Sequence, residues 1–321
     1  MKADERGWGA VPGTGPALQL VMAKGRAYNY KNVYVSIYES GSDDMSGVAI
    51  SAFQQHLNEL DVPHQVGIQR EGRHRIDFLA LLRNLALKPL YQSNQTYDWV
   101  VYLNDVYVRA VDVLTMIDTS KREDAHMACG VDFQLAKKGE ITFYDIWVHI
   151  DLHGKHFRNR APYVGHPQSW EKWTKLEPFQ VFSCWGGVAT IKAELFQKHG
   201  IRFRGGFPLE CSASECELIG RDLWASNQSR IIVVPSVMSA YTHNDYVKLR
   251  LEMENEHGIG GQIRSAAKSP QEWTSVVFQM EAPGEVDCCS LDDMQQDMVD
   301  LSRCMKDRCK QVPGWSHRPC G

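Results

Sequence analysis

The sequence has no apolar run of the roughly 18 residues that a membrane-spanning helix needs. Neither GxxxxGK[ST] nor GxGxxG occurs in it, which weighs against P-loop ATPases and dinucleotide enzymes. GxSxG is missing too, which weighs against a serine hydrolase. Net charge is small: 35 Lys and Arg against 39 Asp and Glu leave −4, which gives no general attraction to nucleic acid or an anionic membrane. No two cysteines stand at CxxC spacing and no His lies near them at zinc-finger distance, which argues against a structural zinc site. The first 28 residues are polar and Gly-rich, without the charged-then-apolar layout of a signal peptide. The chain is therefore either cytosolic or takes a targeting segment from outside this sequence.

What is present suits a large globular domain: 321 residues, 43% hydrophobic and 10% aromatic. We expect a flexible leader over 1–28, one domain over 29–260 and a Cys-rich extension over 261–321. Five of the nine cysteines crowd the last stretch, where disulfides would replace a hydrophobic core. Cys211 and Cys216 could form a further bridge. Two sequons, Asn94-Gln95-Thr96 and Asn227-Gln228-Ser229, add to the case for a secretory lumen over cytosol.

Periodicity predicts alternating strands and helices. Strands are expected at Val33–Tyr38, His64–Ile68, Trp99–Leu103, Ala125–Val131, Val181–Thr190, Ile201–Phe203 and Ile231–Pro235. Helices are expected over Met45–Leu60, Arg73–Leu90, Val111–Ile117, Ala193–His199 and Ser214–Ala225. Such alternation argues for an α/β domain with a mostly parallel central sheet, with ligands at the carboxyl ends of its strands. Those ends fall at Glu39–Asp44, Asn104-Asp105 and Asp132. The long segment 132–180, rich in His and aromatics, reads as a lid or substrate loop.

Four constellations could carry chemistry. Asp105, just beyond a buried strand, could hold a divalent cation that grips a diphosphate; the alternative is a plain turn. His243, directly after the last strand, is a candidate second ligand, and imidazole suits Mn2+ better than Mg2+. Arg75 and Arg83 could bind phosphate or stack on a base, although eight residues place them about 12 Å apart on a helix; a solvated surface is the alternative. Cys184-Trp185-Gly186-Gly187 offers close backbone approach and a flat ring for a sugar, or simply a strand bulge. Ser214 is placed to cap a helix whose first turn aims Glu215 over the sheet.

Several blocks in order then carry a resemblance: Val35–Ser42, Arg83–Leu90, Tyr102–Val106, Cys129–Phe133, Tyr144–Val148, Ser183–Gly187, Ile201–Arg204 and Ser214–Leu218. With them the sequence resembles the fungal capsule-associated glycosyltransferases, typified by a cryptococcal α-1,3-mannosyltransferase, over about two thirds of the chain. The resemblance implies a GT-A-like, Rossmann-type domain of the Golgi lumen that moves mannose from GDP-mannose to a glycan with Mn2+ (or Mg2+). It also implies a type II membrane anchor, expected beyond this sequence. Carried onto these residues, Ser36, Tyr38 and Glu39 face the nucleotide, with Arg75 and Arg83 near base or phosphate. Asn104 and Asp105 meet the donor, Asp105 and His243 hold the metal, and Trp185 and Gly186 line the donor sugar. Asp145 and Glu215 are the expected catalytic carboxylates of a retaining transfer. A full DxD is missing, since Asp105 stands in an Asn-Asp-Val context. The alternatives are the same fold with another nucleotide sugar, or an inactive glycan-binding module built on the aromatics of 144–173.

Overall fold

A computed structural model describes residues 18–23, 33–69, 74–93, 95–136, 139–207, 210, 213–254, 272–287 and 308–310. Arg73, Asn94, Cys211 and most of the two expected terminal segments lie outside the described residues. The strands are β1 (Leu18–Ala23), β2 (Val33–Glu39), β3 (His64–Ile68), β4 (Trp99–Leu103), β5 (Met127–Leu135), β6 (Ile141–Phe143), β7 (Phe179–Gln180), β8 (Val188–Lys192), β9 (Ile231–Ala240), β10 (Glu285–Asp287) and β11 (Arg308–Lys310). The helices are α1 (Ser46–Glu59), α2 (Arg75–Ala86), α3 (Lys88–Gln92), α4 (Ala110–Arg122), α5 (Pro167–Thr174), α6 (Ala193–Gln197), α7 (Glu215–Ala225) and α8 (His243–Glu254).

One sheet in the order β3-β2-β1-β4-β8-β5-β9-β7, with β6 on β5, forms the centre. It is mixed and not mostly parallel. Among the described residues only β2·β3 and β5·β9 run parallel; β1 and β8 are inserted antiparallel between strands that the sequence order alone would place side by side. Alternation of strand and helix sets strand direction, and β2, β3, β4, β5 and β9 do point the same way. It does not set which strands are neighbours. Their carboxyl ends still share one edge.

The stretch expected to be a flexible leader contributes β1, paired on both sides along its length. Its Leu-Gln-Leu-Val-Met-Ala run is strand-like, but Gly and Pro on its flanks dominate the composition. Other departures are local. The helix expected to Leu90 breaks after Ala86 and restarts as α3 with Pro89 in its first turn. Ile201–Phe203 is not a strand, and the strand around the double glycine is confined to β8. β9 runs on to Ala240, past Pro235.

The segment 132–180 is core and not a lid. Phe133, Phe143, Phe157, Tyr163 and Trp173 are buried together with edge and tilted ring contacts, including Phe143–Trp173 at 5.9 Å and Tyr163–Trp173 at 5.1 Å. His149 is buried against Phe143 and Phe157, His156 is buried with its Nδ1 3.2 Å from Ile146 O, and burial pushes each imidazole down to about 4. Those rings therefore serve as neutral packing groups. Most of the aromatics of 144–173 are thus turned inward, while Tyr144 stays exposed.

The one disulfide among the described residues joins Cys129 of β5 to Cys184. Cys216 is a buried free thiol, so the expected Cys211–Cys216 bridge does not form. Its Sγ instead faces Glu215 Oε1 at 3.3 Å, from the first turn of a helix buried on nearly every side.

Candidate active site

The carboxyl edge gathers its functional groups through the strands beneath it. β4 is buried almost throughout, as its unbroken Trp-Val-Val-Tyr-Leu run requires. Beyond it Asn104 N–H donates to Gly187 O (2.9 Å) and Val106 N–H to Asn104 O (2.8 Å), a three-residue turn with Asp105 at its tip. Tyr107 N–H then bonds Ala240 O at 2.8 Å and ties the turn to the end of β9. Asp105 is half-buried, and burial holds its carboxyl above the usual range.

The double glycine is there for space. Gly186 and Gly187 have φ of 63° and 73°, and a Cβ on Gly186 would lie 2.1 Å from Gly130 O. This close approach lets Gly186 N–H reach Asp145 Oδ2 at 3.4 Å, while Asp145 N–H donates to Asp132 Oδ1 at 3.0 Å. Asp132 is fully buried and its Oδ2 has no hydrogen-bond partner. Burial, with the neighbouring Asp145 charge, raises Asp132 well above the carboxylate range, and burial pushes Asp145 up to about 6. The Tyr144 phenol is raised by burial first, then by Asp132, Asp145 and Asp105, with Arg75 opposing. Tyr144 thus lies within electrostatic reach of three carboxyl groups and of the exposed Arg75.

Behind this rim lies a buried ion pair. Arg83 Nε donates to Glu215 Oε1 at 2.9 Å, and the guanidinium sits 4.1 Å over the Trp185 ring. Trp185 is enclosed as well by Tyr102 and Phe203, with centroids at 5.3 and 5.9 Å. With 2% of its surface exposed, it supports Arg83 and presents no open face to a sugar. Its indole N–H reaches Asn104 Oδ1 at 3.3 Å, and Asn104 Nδ2 donates to the Tyr241 hydroxyl at 3.2 Å. Ser214 caps α7 as expected, accepting from Cys216 N–H at 3.2 Å. The Arg83 and Glu215 charges both act on Asp145, so the two expected catalytic carboxylates do share a neighbourhood.

The first-strand residues stand differently. Ser36 is buried in the sheet and accepts from Gln65 Nε2 at 2.8 Å. Tyr38 packs its ring where a Cβ on Gly67 would come within 2.5 Å. Glu39 is buried and fastens the next loop, accepting from Gly41 and Ser42 N–H at 2.7 Å each. Arg75 is exposed at the start of α2. His243 opens α8, exposed, with its ring edge-on to Tyr107 at 5.6 Å.

The sequence placed Asp132 at a ligand-bearing strand end and Tyr144 in the aromatic segment of the glycan-binding alternative without giving either a specific role, and it gave Tyr241 none. Among the described residues no three His, Cys, Asp or Glu groups stand together as a metal cage. A catalytic cation held by one or two carboxylates and a diphosphate needs no such cage. The half-buried Asp105 carboxylate and the orphaned Oδ2 of Asp132 are hard oxygen donors of the kind such an ion takes.

The family model described as cryptococcal mannosyltransferase 1 matches residues 17–222. An alpha-1,3-mannosyltransferase of Cryptococcus neoformans var. neoformans serotype D is 36% identical over 190 residues, which cover 53% of this chain and 40% of that protein. The chain thus spans about two fifths of the length of this relative. The family match contains Arg83, Asp105, Asp132, Asp145, Trp185 and Glu215, and extends over well over half the sequence. The chain belongs to the cryptococcal mannosyltransferase family.

Proposed function

We propose that this chain is a GT-A-type glycosyltransferase that moves mannose from GDP-mannose to a hydroxyl of a glycan acceptor with retention of the α configuration. The observation that carries the proposal is the gathering, at the carboxyl edge of the sheet, of Asp132 hydrogen-bonded to Asp145, of the Arg83–Glu215 pair whose charges act on Asp145, and of Asp105 on the turn after β4. The name of the relative supports the sugar and the linkage.

Asp105 would hold a divalent cation, Mn2+ in preference to Mg2+ where His243 joins it. Once bound, the cation supplies charge neutralisation for the diphosphate as it leaves. Arg75, exposed at a helix start, is suited to an anionic phosphate. Arg83 keeps Nη1 without a hydrogen-bond partner inside the site and adds fixed positive potential. In a front-face transfer the bond from C1 to the diphosphate breaks as the acceptor oxygen bonds C1 on the same side. The acceptor proton passes to the departing phosphate oxygen. Asp145 would accept a hydrogen bond from the acceptor hydroxyl and orient it, and its charge would favour the oxocarbenium-like centre. Glu215, locked to Arg83, would act by holding that guanidinium in place.

We place the protein in the Golgi lumen. The Cys129–Cys184 disulfide supports an oxidising compartment. No helix among the described residues is long and apolar enough to cross a membrane.

The test is thermal stabilisation by ligand. GDP-mannose with Mn2+ at about 100 times Kd should add about 2.7 kcal/mol of apparent stability. Asp105→Ala should lose that rise, and an unchanged rise would remove Asp105 from metal and donor binding. Release of mannose from GDP-mannose, measured against other nucleotide sugars, checks the donor.

A further inference from the structure

Tyr144 is one of two aromatic side chains among the large apolar groups exposed in the described residues; the other is Phe207. The Phe207 ring lies under the Arg204 guanidinium at 4.2 Å, and Arg204 is itself bound to Glu210 and Asp222. Trp185, expected to stack on a sugar, is covered by Arg83. Tyr144 therefore offers the exposed ring at the carboxyl edge, 38% exposed. Tyr241 stands against it, with centroids 5.0 Å apart and planes tilted by 54°. Both rings are positioned from below: Tyr144 N–H bonds Asp132 O at 2.9 Å, and the Tyr241 hydroxyl accepts from Asn104 Nδ2.

The charge around the ring selects what could lie on it. Asp132, Asp145 and Asp105 all act on the Tyr144 phenol, with Arg75 as the opposing cation. The surround is polar and rich in carboxyl oxygens. A neutral sugar suits it, because ring hydroxyls are hydrogen-bond donors that carboxylates accept, while the apolar C–H face of a pyranose packs on an aromatic ring. We infer that Tyr144, backed by Tyr241, is the stacking platform for a pyranose ring of the acceptor glycan, with Asp145 beside it to take the reacting hydroxyl. The acceptor class is thus a neutral pyranoside, an assignment that rests on the transferase proposal for its role but not for its binding.

Equilibrium binding and transfer should be measured separately on the wild-type chain, Tyr144→Phe and Tyr144→Leu, using α-linked mannotriose and GDP as separate ligands. Because the side chain is exposed, both variants should keep the wild-type Tm. Tyr144→Leu is expected to weaken mannotriose binding about ten-fold, as loss of an aromatic stacking partner does. Tyr144→Phe, which keeps the ring, should stay within about three-fold, and GDP affinity should hold in both. Unchanged mannotriose binding in Tyr144→Leu, or no binding to the wild type, would overturn the platform. A loss of GDP affinity in its place would assign the ring to the nucleotide base and overturn it as well. Wild-type protein that binds mannotriose through Tyr144 yet transfers no mannose would sink the transferase proposal alone.

Discussion

Replacing Glu215 by alanine should disrupt the site before it tests any chemistry. Glu215 is 1% exposed and Arg83 5%, and they meet at 2.9 Å. Glu215 also receives the Ser214 hydroxyl at 3.1 Å and the Cys216 thiol at 3.3 Å. Removing one partner of such a pair strands a charge away from water, a loss of about 3–5 kcal/mol. The cation–π contact of Arg83 with Trp185 is present before and after the change, so it does not offset that loss. A domain has about 5–15 kcal/mol of total stability. At about 2–4 °C per kcal/mol, the Tm should fall by roughly 10 °C.

The informative partner is the double variant Arg83→Met, Glu215→Leu. Apolar groups of similar volume leave no stranded charge, so stability should return to within about 2 kcal/mol of wild type or exceed it. Differential scanning fluorimetry gives the Tm values, and mannose transfer is measured on the same samples. The single variant should lose both; the double variant should recover Tm but not transfer. Recovery of transfer together with Tm would refute a functional role for the pair. A single variant within 2 °C of wild type would refute the burial energetics.

Gly186→Ala must place a Cβ 2.1 Å from Gly130 O at a φ of 63°, so it should destabilise by about 1–3 kcal/mol, read by urea denaturation; a neutral effect would mean that the loop moves freely. Asp145 is pushed up to about 6, so its protonated form stabilises the fold fully below about pH 4 and that contribution is lost as pH rises through 6. His149 and His156, held near 4, act in the opposite sense, losing stability as pH falls from about 6.5 through 4. Both histidines remain in Asp145→Asn, so the difference between the two curves of Tm against pH should report Asp145 together with its coupled neighbour Asp132, and parallel curves would contradict the shift. Cys129→Ala opens a disulfide spanning 55 residues and should cost about 4 kcal/mol, checked by Tm against wild type with and without reductant. An equal Tm for wild type and variant without reductant would show that the bridge adds no stability.

Buried strands were legible because their apolar runs leave little choice. Trp99–Leu103 and the Asn-Asp turn after it stand where the pattern put them, as do α7 and its Ser214 cap. The double glycine was legible as close backbone approach. Sheet order was not, because β1 and β8 pair through contacts that carry no local periodicity. The aromatic segment misled because so long a connection without clear periodicity reads as a loop over the site. Burial instead keeps His149 and His156 neutral, and the His149 imidazole packs against Phe143 and Phe157. Trp185 was legible as a site residue but not as the floor of Arg83, since their meeting spans 102 positions of sequence.

The departure from a parallel sheet is what assembles the site. A strand in a parallel sheet delivers only the loop after it to the carboxyl edge. An antiparallel strand among them delivers the loop before it. β8 runs antiparallel to both β4 and β5, with Val188 opposite Leu103 and Ala189 opposite Cys129. The segment Cys184–Gly187 therefore arrives at the same edge as Asn104, Asp105 and Asp132, although it precedes its strand. The Cys129–Cys184 disulfide fastens that arrival, and the hydrogen bond from Asn104 N–H to Gly187 O extends it. A β8 inserted parallel would carry Trp185 and Gly186 to the opposite edge. Arg83 would then lose its aromatic floor and Asp145 its backbone donor.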